Sequence, residues 1–274
     1  MFRARLLTAL VLGPLLIVAI WLLSTAVVAV LLAAIAALAA WEWTHLMGVV
    51  DTRARAGLVA AFLATFPPGY LLLELVPGVE LIFYVTVVLW FAALLWLLIF
   101  SRYELPAPTP LLAAVIGWLL LWSCWLALVY IHGYTNWGPF WHTFLLVLVW
   151  MADTGAYFGG KKWGKHRLAP AISPGKSWEG AIIGSLMAVL AGLLLVWVLR
   201  PLIPPLQILI AGSVVIAAVS VVGDLFESML KRQRGIKDSG GVLPGHGGIL
   251  DRIDSLTAAA PFLAAGLAWW QNGI

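Results

Sequence analysis

Charge is what this sequence has least of. Only 10% of its 274 residues are Asp, Glu, Lys or Arg, while 63% are hydrophobic; an ordinary globular domain is about 25% charged. With a mean hydropathy of +1.03, a water-soluble fold would expose far more apolar surface than its interior could hide, so that class is excluded. Cysteine is nearly absent as well. Cys124 stands alone inside an apolar run, which rules out an intrachain disulfide and a cysteine-built zinc site. Period-two alternation in ten-residue segments is missing, and with it the pattern of a membrane β-barrel. No internal repeat or low-complexity tract is evident, and the paired broken helices of transporter repeats are not obvious.

What the sequence does have is apolar runs close to the roughly 20 residues that a helix needs to cross a bilayer core. Nine such runs are predicted, at 6–23, 27–47, 57–75, 79–100, 111–130, 140–158, 180–199, 206–226 and 256–270. The fold class expected is an all-α integral membrane protein of about nine transmembrane helices. Its amino-terminal part, 1–139, carries spans one to five. The remainder, 140–274, carries spans six to nine and the polar loops of the site. The start, MFRARLLTALVLGPLLIVAIWLLSTA, has the basic lead of a signal peptide, but its apolar stretch exceeds the usual length of about 7 to 15 residues. It reads as an uncleaved first span.

With the amino terminus in the cytoplasm, only Arg200 of the sixteen Lys and Arg residues falls on the far side. That is the bias of the positive-inside rule, and one missing or false span would scramble it. The pI near 9.4 then needs no nucleic-acid partner, because basic loops beside anionic lipid headgroups account for it. The tryptophan-rich stretches WEWTHL and WLLLWSCW read as interfacial belts and lipid-facing packing. Glu42 and His45, at the end of the second span, read as interfacial and solvated.

Polar residues gather after position 150, in three stretches expected at one membrane face. The first is WMADTGAYFGGKKWGKHRLAPAISPGKSWEG. Asp153 lies within an apolar run, where a carboxylate costs about 2.5 kcal/mol or more and needs a partner, a metal or a wet cavity; a salt bridge to a nearby lysine is the plainer reading. Gly155, Gly159, Gly180 and Gly184 have the spacing of close helix packing. Ser177 is a candidate N-cap with Glu179 in the first turn, and Lys176 beside that helix end adds a cation to a place suited to phosphate. The second stretch is VVGDLFESMLKRQRG. Asp224, Glu227, Ser228 and Lys231 fall at i, i+3, i+4 and i+7, on one helical face. The third is KDSGGVLPGHGGILDRID, in which Asp251 and Asp254 share a helical face and the preceding glycines let backbone amides turn toward an anion. Paired carboxylates next to exposed amides suit a divalent metal that bridges protein to substrate phosphates, as Mg²⁺ commonly does.

The segment from Ser228 to Asp254, SMLKRQRGIKDSGGVLPGHGGILDRID, resembles the full signature of the phosphatidate cytidylyltransferases, also called CDP-diacylglycerol synthases. The serine, Lys-Arg, Lys-Asp, Pro, His-Gly-Gly and Asp-Arg-x-Asp stand at the family spacing. The upstream DTGAYFGGKKWGKHRLAPAISPGKSWEG resembles a second characteristic stretch, so the match covers roughly residues 150 to 254. The resemblance implies transfer of CMP from CTP to phosphatidate, with Mg²⁺ required and room for a second cation. It implies metal ligation at Asp224 and Asp251, with Asp254 and Asp153 as further acidic members of the site.

The nucleophile in that reaction is a phosphate oxygen already ionised at pH 7, so no strong base is needed. His246 is therefore assigned to phosphate contact or loop geometry. Lys176, Lys231, Arg232, Lys237 and Arg252 are candidates for holding the triphosphate or the lipid phosphate. Ser173, Ser228, Gly247 and Gly248 join them as substrate-binding candidates. The partners implied are CTP, phosphatidate and the bilayer, with a homodimer left open, at a bacterial inner membrane with the site facing the cytoplasm. Two rivals remain at this stage. A CDP-alcohol phosphotransferase also uses clustered aspartates, but its Asp-Gly-x-x-Ala-Arg run is absent. An ion transporter would use Asp153 and Asp224 as intramembrane ligands, yet it lacks an evident counterpart set at the other face.

Overall fold

A computed structural model describes residues 13–103, 105–201, 203–240 and 247–272. Lipid offers no partner for backbone N–H and C=O groups, so apolar runs of this length close their hydrogen bonds internally as helices. The described part of the amino-terminal run is α1, Gly13–Leu22; residues 1–12, which hold the rest of the predicted first span, lie outside the described residues. There follow α2 (Thr25–Leu46), α3 (Thr52–Leu63), α4 (Phe66–Leu75), α5 (Leu81–Tyr103), α6 (Pro110–Gly133) and, after a 3₁₀ turn, α7 (Gly138–Trp163). A hairpin of β1 (Arg167–Ala169) and β2 (Ser173–Ser177) leads into α8 (Trp178–Leu199), α9 (Leu206–Gln233) and α10 (Leu250–Asn272).

The breaks are written in the sequence. Asp51 caps α3 by accepting from the Ala54 amide at 2.7 Å, and Thr109 caps α6, which has Pro110 at its first position, where the missing N–H costs nothing. The predicted third span is interrupted: α3 stops at Leu63, and α4 restarts just ahead of Pro67 and Pro68. The all-α expectation holds, with one short antiparallel hairpin added to it, in which Arg167 faces Ser177 and Ala169 faces Ser173. Pro170 and the Pro174-Gly175 pair deny this loop a helix.

Among the described residues, seven helical segments are long and apolar enough to cross a membrane: α2, α3 with α4, α5, α6, the 3₁₀ turn with α7, α8 and α9. The expectation of nine is not met by that measure. The described part of α1 has only ten residues. The other shortfall, α10, has 23 residues, about 34 Å at 1.5 Å per residue, so its length suffices while its polarity is too high. The reason is position: α10 packs against α2, α5, α6, α7 and α9, and Ala258, Ala259, Ala260 and Ala264 are wholly buried. A helix jacketed by other helices need not present an apolar surface to lipid.

Small residues set a close contact between α7 and α8. A Cβ on Gly155 would come within 2.9 Å of the Gly184 Cα, and one on Gly180 within 2.7 Å of the Ala156 carbonyl oxygen, so the predicted packing role of these glycines holds. Two of the tryptophans depart from expectation, while Trp118 is exposed as expected. Trp43 and Trp125 are buried, donating their indole N–H to the carbonyls of Ala113 at 2.8 Å and Ala29 at 2.9 Å. Trp125 also stacks on Phe66 at 4.3 Å. They clamp α2 and α4 to α6 instead of forming a lipid belt, because a buried indole still finds an acceptor for its one donor.

Candidate active site

The site is assembled where α7 and α9 end and where α8 and α10 begin. Gly223 sets the geometry on α9. A Cβ there would stand 2.5 Å from the Asp254 carbonyl oxygen and 3.2 Å from Ala258 Cβ, so glycine lets α9 and α10 cross closely and brings Asp224 within electrostatic reach of Asp254. From the other side the hairpin delivers Lys176, whose Nζ lies 2.6 Å from Asp224 Oδ2. The other oxygen, Oδ1, accepts from the Ser228 hydroxyl at 3.2 Å, one helical turn on. The next turn of the same stripe serves a different partner. Lys231 Nζ stands 2.6 Å from Asp251 Oδ1 and 3.2 Å from Glu227 Oε1. Asp251 Oδ2 further accepts from the amides of Gly248 at 2.9 Å and Ser239 at 3.2 Å.

The hairpin is held down from α8. Ser177 accepts from the Gly180 amide at 3.2 Å, the predicted N-cap. The Glu179 carboxylate turns back to accept from the Lys165 amide at 3.1 Å and to meet His166 Nδ1 at 2.6 Å. The first-turn carboxylate thus faces the hairpin, and Lys176 is what carries positive charge toward α9.

Asp254 is buried, within electrostatic reach of Asp224 and Glu227. Asp224, Lys176 and Arg252 lie within such reach of Asp153, which is exposed. Five carboxyl groups (Asp153, Asp224, Glu227, Asp251 and Asp254) are therefore drawn together against three cations (Lys176, Lys231 and Arg252). Charges taken out of water need close compensation, and hard oxygen donors in excess over cations suit a divalent metal. Among the described residues no group of three or more His, Cys, Asp or Glu side chains is placed so that it could hold a metal ion by itself. Mg²⁺ does not require one, since it commonly binds through one or two carboxylates and completes its shell with waters and substrate phosphates.

The sequence model of the cytidylyltransferase family matches residues 3–270. The chain belongs to the cytidylyltransferase family. Among its curated members, the phosphatidate cytidylyltransferase of Pseudomonas aeruginosa is 41% identical over 98% of this chain and 97% of its own. That of Haemophilus influenzae is 37% identical over 96% and 98%. The Brucella suis protein of the same name matches more locally, at 48% over 44% of each chain.

In this family member the structure brings together Asp153, Asp224, Asp251, Asp254, Ser228, Lys176, Lys231 and Arg252 from the predicted set. Gly248 is buried beside Asp251, and Gly247 adopts a left-handed φ of 82°, which favours glycine. Ser173 opens β2, half-buried. Arg232 is exposed and donates from Nε to the Ile172 carbonyl at 3.2 Å, tying α9 to the hairpin turn. Lys237 is exposed. His246 lies outside the described residues.

Within the site, Glu42 was misread from sequence. Expected to be interfacial and solvated, it is 2% exposed. It accepts from the Ile249 amide at 3.0 Å, the Leu250 amide at 2.8 Å and the Ser239 hydroxyl at 3.0 Å. The argument that singled out Asp153, a carboxylate in an apolar run, applies equally to Glu42. His45 is exposed, as expected.

Proposed function

We propose that this chain transfers CMP from CTP to phosphatidate, yielding CDP-diacylglycerol and pyrophosphate. The observation that carries the reading is the meeting of two cation–carboxylate pairs, Lys176 with Asp224 and Lys231 with Asp251, in a chain alignable almost end to end with phosphatidate cytidylyltransferases. A phosphate oxygen of the lipid attacks the α phosphorus of CTP, and the bond from that phosphorus to the oxygen bridging the α and β positions breaks as pyrophosphate leaves. The attacking oxygen is already anionic, so the task left to the protein is to align two polyanions and offset charge on the leaving group.

Lys176, on the hairpin, and Arg252, in the first turn of α10, are the cations that meet those anions. Lys231 holds Asp251 in place from α9. Ser228 and the Gly248 amide keep the two carboxylates Asp224 and Asp251 oriented. When bound, Mg²⁺ held by Asp224 and Asp251 would supply neutralisation of the phosphate charge, with Asp153 and Asp254 supporting a second cation. The nine-span topology, the cytoplasmic amino terminus and a site on the cytoplasmic face of a bacterial inner membrane complete the proposal. They are supported by the distribution of Lys and Arg over the loops.

The test is pyrophosphate release by the purified protein in mixed micelles. Release should require CTP, phosphatidate and Mg²⁺ together and should fail with ATP or GTP. Equal release without phosphatidate, or none under any condition, would overturn the reading.

A further inference from the structure

We infer that Glu42, on α2, is a positioning residue of the nucleotidyl-transfer site, acting through the backbone that orients Asp251. The inference rests on the proposed reaction and goes beyond the residues of the two signature stretches, because Glu42 lies more than a hundred positions upstream of both. Its carboxylate joins two parts of the third polar stretch, Ser239 near its start and the Ile249–Leu250 pair near its end. One oxygen, Oε2, accepts from the Ser239 hydroxyl and the Leu250 amide, while Oε1 accepts from the Ile249 amide. Those are neighbours of the groups that hold Asp251, since the Ser239 and Gly248 amides both donate to the Asp251 carboxylate. Glu42 and Asp251 thus grip the same two backbone segments from opposite sides, and neither can shift without moving the other's donors.

The surroundings are shaped for this carboxylate. A Cβ on Gly240 would meet Glu42 Oε1 at 2.5 Å, and one on Gly248 would run into Glu42 Oε2 and Ser239 Oγ. Two glycines of the polar stretch are therefore required by a side chain from another helix. The amides of Ile249 and Leu250 open α10, where four N–H groups have no partner inside the helix and where a carboxylate also meets the favourable end of the helix dipole. A helix-capping role alone would need one acceptor and would not reach Ser239. The bond to Ser239 is what couples the segment after α9 to the start of α10 and so fixes Asp251 between Lys231 and the backbone amides.

The experiment uses full-length protein in mixed micelles and compares wild type with Glu42→Gln, Glu42→Asp and Ser239→Ala. Each is assayed for pyrophosphate release and for hydrogen exchange in peptides covering 247–254 and, as reference, 144–158 of α7. A displacement near 1 Å costs about a hundredfold in rate, so Glu42→Asp should lower kcat about a hundredfold per folded molecule and Glu42→Gln about tenfold. KM for CTP should change little, with faster exchange at 247–254 and unchanged exchange in α7. Glu42→Gln keeps one good acceptor and should retain more activity than Glu42→Asp, whose shorter arm withdraws from all three donors. Should neither variant fold, Ser239→Ala decides, with a drop in kcat of about tenfold expected from loss of one of the three contacts.

A kcat within threefold of wild type in the folded Glu42 variants, or in Ser239→Ala when only that variant folds, would overturn the inference. So would a change confined to KM. Activity lost only in proportion to folded protein would reduce Glu42 to a stabiliser and likewise overturn it. An inactive wild type would instead sink the proposed function, and exchange at 247–254 would still report whether Glu42 holds the backbone.

Discussion

Replacing Lys231 by methionine removes the one cation shared by Asp251, at 2.6 Å, and Glu227, at 3.2 Å, in a setting where the three side chains are only 4–9% exposed. Breaking a buried ion pair by deleting one partner costs about 3–5 kcal/mol, because the surviving charge stays buried without compensation. Asp251 keeps its two amide donors, whereas Glu227 loses its only ion-pair partner among the described residues, which places the loss at about 3 kcal/mol. For a chain of this size that corresponds to a fall of about 6–12 °C in the unfolding midpoint, measurable by tryptophan fluorescence on detergent-solubilised protein. Adding Glu227→Leu should return about half of the loss, since removing both members of a buried pair is often neutral. The reasoning is refuted if Lys231→Met melts within about 2 °C of wild type, or if the double variant is no more stable than the single one.

Three further outcomes follow from the same geometry. Asp224→Asn keeps the shape of a side chain that meets Lys176 and Ser228, so it should leave a folded, membrane-inserted protein with no turnover; activity within threefold of wild type at saturating Mg²⁺ would remove Asp224 from the ligand set. Lys176→Ala should mainly raise KM for CTP or phosphatidate, while Arg252→Ala should lower kcat and kcat/KM together, the pattern of a contact made only in the transition state; steady-state kinetics showing Arg252→Ala with an intact kcat would reverse the assignment. Finally, a cysteine in place of Lys161, in a Cys124→Ala background, should resist impermeant maleimide on intact cells and react after lysis, and labelling before lysis would overturn the proposed sidedness.

Much of the site was legible because polarity in an apolar chain is costly and therefore informative. Asp153 could be singled out from that cost alone, whereas helical spacing marked Asp224 with Ser228 and Lys231 on one face, and spacing, neighbouring glycines and the family signature marked Asp251 and Asp254. Spacing could not reveal that this face splits, with Asp224 and Ser228 serving the hairpin while Glu227 and Lys231 serve α10, because the split depends on the crossing at Gly223.

Glu42 carried the same local signal as Asp153, a carboxylate in an apolar run, but its donors come from residues about 200 positions away, and no local pattern names partners at that range. The buried tryptophans were misread for a related reason: an indole near a membrane surface and an indole clamping two helices have the same sequence neighbours. The count of spans fell short where α10 exchanged hydropathy for a central position, a property of the packing and not of the run itself.

The central claim is that the bond broken lies between the α phosphorus of CTP and the bridging oxygen, with the α phosphate passing to the lipid. Incubating the protein and phosphatidate with CTP labelled at the α phosphorus, and in parallel at the γ phosphorus, followed by extraction into chloroform and methanol, tests it most directly. The α label should appear in the organic phase as a lipid nucleotide and the γ label wholly in the aqueous phase as pyrophosphate. Transfer of the γ label to lipid, or retention of both labels in water, would contradict that claim.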